Sequence, residues 1–94
     1  MNAAEKLIAR KGGYIVNDTT EYVKNAVGYY CAEDTVIARI EVDGVTATDE
    51  KANYISTAAT AVKGGVLLTP LDSEGHTVFS AITLTSGSVV AIHA

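Results

Sequence analysis

Tryptophan is absent from this 94-residue chain, cysteine, proline and methionine occur once each, and aromatic residues make up only 6%. A lone cysteine, Cys31, closes no intrachain disulfide, and no CxxC or Cys/His pair accompanies it to suggest zinc; it reads as a small buried hydrophobe. No stretch approaches the roughly 18–20 apolar residues of a membrane span. Residues 1–13 lack the apolar stretch of a secretory signal, so nothing directs the chain out of a cytoplasm by the usual route. Basic residues are scarce as well, seven against eleven acidic, for a formal net charge of −4. Residues 1–13 hold Lys6, Arg10 and Lys11 against Glu5, a net of +2, while residues 14–94 hold four basic and ten acidic side chains, a net of −6. An acidic body argues against nucleic acid as the main partner, because phosphate neutralisation needs clustered Lys and Arg.

What is present is 48% apolar and made largely of small residues, fourteen of them Ala. That composition is too apolar for disorder. A chain of this length buries only about 60% of its unfolded surface, and small side chains give a thin core, so self-association is the expected supplement.

Residues 1–13 are expected to form a short helical arm. Asn2 can cap it with Glu5 reaching back, Ala4, Leu7 and Ile8 share a face, and Gly12-Gly13 ends it. So short a helix needs a surface to lie on, which makes Leu7, Ile8, Arg10 and Lys11 candidate partner-binding residues. From Tyr14 the period changes to two, and residues 14–94 are expected to form one all-β domain, a small sandwich or barrel. Val36, Ala38, Ile40 and Val42 alternate with Ile37, Arg39 and Glu41, as in a half-buried strand, and Asp43-Gly44 ends it as a turn. Residues 46–63 have some helical spacing, but their Thr, Ile and Val content favours extended or irregular structure. Val78 to Leu84 and Val89 to Ile92 alternate around "TSGS", which predicts a β-hairpin with a Gly-containing connection. Its Thr83, Thr85, Ser86 and Ser88 are uncharged and suit packing against another protein surface or another copy.

No catalytic constellation emerges. His76 and His93 read as a solvated turn residue and a solvated terminal residue, with no nucleophile motif to serve. Asp43, Asp49 and Glu50 lack EF-hand spacing and read as an acidic surface loop. No metal, cofactor or enzymatic activity is expected.

At Glu33-Asp34-Thr35-Val36, Gly65, and Phe79, Ile82, Leu84, Ser86, Gly87, Val89, Val90, Ala91 and Ile92, the chain resembles a group of short virion proteins of tailed bacteriophages. Ile92 stands where Tyr is frequent in that pattern, and the basic arm is not part of it. The resemblance implies a structural protein that decorates and stabilises the capsid, commonly as a homotrimer, with the major capsid protein or another virion protein as partner and the virion as its location. A tail or head-fibre attachment component belongs to the same class. A carbohydrate- or ligand-binding β module is the alternative from another class, with Tyr14, Tyr22, Tyr29, Tyr30 and Tyr54 as platform residues.

Overall fold

The computed structural model describes residues 12–57 and 59–94. The expected helical arm, with Leu7, Ile8, Arg10 and Lys11, lies outside them. The described chain is all-β: β1 (Gly13–Val16), β2 (Tyr22–Cys31), β3 (Val36–Val42), β4 (Leu67–Leu68), β5 (Phe79–Ser86) and β6 (Val89–His93), with two 3₁₀ turns at Lys51–Asn53 and Asp72–Glu74. All pairings are antiparallel, in the order β1-β6-β2-β5-β3, and β4 pairs β2. Residues 46–57 and 59–63 are irregular apart from the first 3₁₀ turn and a bridge from Val62 to Thr35.

The sheet folds over on itself. Val16 of β1 and Ile37, Ile40 and Val42 of β3 share one buried cluster, although four strand spacings, about 19 Å in a flat sheet, separate those strands. The long strand β2 makes the corner: Tyr22–Ala26 pair with β5, and Ala26–Cys31 pair with β6, with register shifts around Ala26. Inside the fold the Tyr29 and Phe79 rings stack with centroids 4.6 Å apart.

Two expectations need correction. The segments on either side of Ser86-Gly87-Ser88 are strands, but they do not form a hairpin; each pairs with a different part of β2. Gly87, at φ +87°, carries the chain round the corner from one half of the sheet to the other. In β3 the alternation breaks. Ile37 pairs with Leu84 and Arg39 with Thr83, so Ala38 is an extra residue, and the resulting bulge turns Ile37 into the core.

Candidate functional site

Glu33, Asp34 and Thr35, at the entry to β3, meet Ser88 and Gly64 and hold the corner of the fold. Thr35, fully buried, sets its Oγ1 2.8 Å from the Glu33 carbonyl and 3.1 Å from the Ser88 carbonyl, and accepts the Ser88 N–H at 3.2 Å. The Ser88 hydroxyl donates to Glu33 Oε2 at 2.9 Å. Asp34 accepts the Gly64 N–H at 3.0 Å and lies 3.5 Å from Lys63 Nζ; those two contacts hold its carboxyl below the usual range. Ser88, expected on an outward face, is therefore engaged inside. Thr83 is half-buried, and Thr85 and Ser86 are exposed near this junction.

The acidic residues of the 43–50 loop serve the backbone. Asp43 and Gly44 both have positive φ, and the Asp43 carboxylate accepts the N–H groups of Thr77 and Val78. Thr77 and Val78 together pull its pKa down. Burial pushes the Asp49 carboxyl up, but hydrogen bonds from Lys51 and Ile40 outweigh it and leave it below the ordinary value. This loop also seals the outer edge of β3. Asp49 takes the Ile40 N–H, the Glu50 N–H donates to the Ile40 carbonyl, and Lys51 Nζ donates to the Ala38 carbonyl. Among the described residues no group of three or more His, Cys, Asp or Glu could hold a metal ion.

The histidines are not solvated as the sequence predicts. His76 is buried, its Nδ1 2.7 Å from the Tyr54 hydroxyl, with Nε2 3.6 Å from Glu50 Oε2. Because the Leu71 N–H donates to that hydroxyl, Tyr54 has its own hydrogen free to give to His76 Nδ1. Burial raises the Tyr54 pKa, so the phenol stays protonated at neutral pH. This Tyr–His–Glu chain orients its members, and it presents no Ser or Cys nucleophile among its bonded partners. No spacing in the sequence connects Tyr54 with His76; the contact depends on the segment around the Lys51–Asn53 turn folding back along β3.

His93 is half-buried and its Nε2 lies 2.8 Å from the Tyr22 hydroxyl, while Tyr22 stacks flat on Tyr14 at 4.5 Å. Tyr29 is buried and Tyr30 half-buried, so of the five tyrosines Tyr14 offers the most exposed ring, at 52%.

The β1 edge differs from the sealed β3 edge. The His93 N–H donates to the Gly12 carbonyl, and Gly13 to Val16 pair with Ile92 to Val89. In the antiparallel alternation, Tyr14 and Val16 therefore bond to β6, while the N–H and C=O of Gly13 and Ile15 point away from it. Among the described residues β1 pairs only with β6. The strand has no charge, and Ile15 is 60% exposed. Within Gly13–Val16 there is no Lys, Pro or bulge to blunt that edge.

No protein-family model, curated protein or solved structure matches the chain.

Proposed function

We propose that this chain is a non-enzymatic structural protein of a tailed-bacteriophage virion, which decorates the capsid and reinforces it. The observation that supports a protein-binding role is the asymmetry of the two sheet edges: β3 is sealed by its own loop, whereas β1, among the described residues, pairs only with β6, has no charge and carries exposed Tyr14 and Ile15. The phage assignment itself draws on the residue pattern from Glu33 to Ile92. Leu7 and Ile8 supply the apolar contact to the lattice in this scheme, each giving about 1.5–3 kcal/mol on burial before the ordering cost of the arm is subtracted. A tail or fibre-attachment role would use the same surface on fewer copies.

Copy number in purified particles tests the proposal. Hundreds of copies per particle are expected for decoration, and a handful would move the protein to the tail. Absence from particles would remove the virion role. The exposed Tyr14 ring, backed by Tyr22, favours a carbohydrate-binding module as the second reading. Sugar-induced shifts of the Tyr14 and Tyr22 ring resonances would then be expected.

A further inference from the structure

The turn from β1 to β2 sets an exposed aromatic ring beside two carboxylates. Residues 14–22 enclose a cleft of about 120 Å³ there, with Asp18 and Glu21 on its wall and no Lys, Arg or His among its described lining residues. We infer that this cleft takes the guanidinium group of an arginine from a partner protein, stacked on Tyr14 and paired with the carboxylates. The platform is built in advance. The Tyr22 hydroxyl lies 2.8 Å from His93 Nε2, and Tyr14 lies parallel to Tyr22, 4.5 Å away with 4° between the ring planes. Tyr22 thus takes one face of Tyr14, and the ring is still 52% exposed, so its other face is turned to solvent. Asp18 is held as well, its Oδ1 accepting the Thr20 N–H at 3.1 Å.

The chemistry selects the occupant. A guanidinium is planar, weakly hydrated and always charged; it stacks on aromatic faces and continues the Tyr14–Tyr22 ladder. It offers only donors, and ionised carboxylates only accept. Drug-sized ligands fill roughly 300–1,000 Å³, so a cleft of about 120 Å³ takes one head group rather than a chain of sugars. Residues 14–94, with four basic and ten acidic side chains, attract a basic partner at longer range. Arg39 feels the charge of Glu21, but it is held by Glu41 Oε2 at 2.9 Å and the Thr46 carbonyl at 2.7 Å and does not line the cleft. The inference deepens the protein-binding reading above and rests on it only for the source of the arginine.

Titration of the whole chain with N-acetyl-arginine amide tests the site without a particle, so its outcome is separate from the copy number. The Tyr14 and Tyr22 ring resonances should shift along one saturable curve in the millimolar range, and the dissociation constant should rise with added salt. The citrulline analogue, planar but uncharged, should bind about threefold more weakly or worse. Tyr14→Leu and Glu21→Gln should each weaken arginine binding about two- to fivefold with the thermal transition kept. Asp18→Asn, which keeps an acceptor for the Thr20 N–H, should do the same. A response that never saturates overturns the inference, and so does equal binding of citrulline, unchanged binding in Tyr14→Leu, or a response to methyl glucoside alone. If arginine binds only in the double variant Arg10→Gln, Lys11→Gln, the chain's own cations are the occupant and the inference falls.

Discussion

Thr35 and Ser88, one at the entry to β3 and the other at the entry to β6, are tied in both directions: the Thr35 hydroxyl accepts the Ser88 N–H and lies 3.1 Å from the Ser88 carbonyl. A single hydroxyl thus fixes the corner where the chain crosses from one half of the sheet to the other. Thr35→Val keeps the shape and leaves the Ser88 N–H buried without its acceptor, a loss of about 2–3 kcal/mol. Thr35→Ser keeps the hydroxyl and should cost only about 1 kcal/mol for the lost methyl. Urea midpoints at unchanged slope would show both.

Gly87 and Gly44 both have positive φ but different surroundings. A Cβ on Gly87 would sit 2.5 Å from Thr35 Oγ1 and 2.6 Å from the Asp34 carbonyl oxygen, whereas one on Gly44 would meet nothing within 4 Å. Gly44→Ala should therefore cost the backbone strain alone, about 1–2 kcal/mol. Gly87→Ala adds a collision with backbone that cannot move aside and should cost at least about 3 kcal/mol. Equal thermal shifts for the two variants would refute this account of the corner.

The Tyr29 hydroxyl is buried with no hydrogen-bond partner among the described residues. Tyr29→Phe keeps the stack on Phe79 and removes the unpartnered group, so stability should hold or rise by about 1 kcal/mol. Burial raises the phenol pKa well above its ordinary value, with Tyr22 and Glu41 adding to the effect. The unfolded tyrosine ionises first, so the native protein should lose stability as pH rises through about 10. The Phe variant should lack that component in alkaline denaturation.

Acid should act on Asp43 and Asp49, whose folded pKa values lie below the ordinary one. Their contribution is complete above about pH 4, the unfolded carboxyl value, and is lost as pH falls through the depressed folded values. Asp43→Asn should flatten the acid limb of the stability curve, because the variant has no carboxylate there to protonate.

Strands β3, β5 and β6 were legible in the alternation of their residues, and the irregularity of 46–57 and 59–63 in their β-branched and polar content. The hairpin was not, because a short Gly-containing connection gives the same local signal whether the chain doubles back or turns a corner. Which occurs depends on β2, some sixty residues earlier, entering between the two segments. Ile37 was misplaced for a related reason: the bulge at Ala38 exists only in register with β5. That the N–H and C=O of Gly13 and Ile15 point away from β6 likewise follows from the strand pairing, which single-strand periodicity does not encode. Glu33, Asp34 and Thr35 were visible as a pattern, and their backbone-holding work appeared only once Ser88 and Gly64 lay beside them.

The pairing of Gly13 with Ile92 also sets the order in which this molecule can come together. β1 has nothing to bond until β6 is in place, and the outer half of β2 waits for the same strand. Local hairpins cannot nucleate such a sheet, so loop-closure entropy falls on the earliest steps and folding belongs in the slower, millisecond-to-second range of small β proteins. Until β6 docks, the side of Ala26–Cys31 that it will occupy stays unpaired, and that interval is when one chain can most readily take a strand from another.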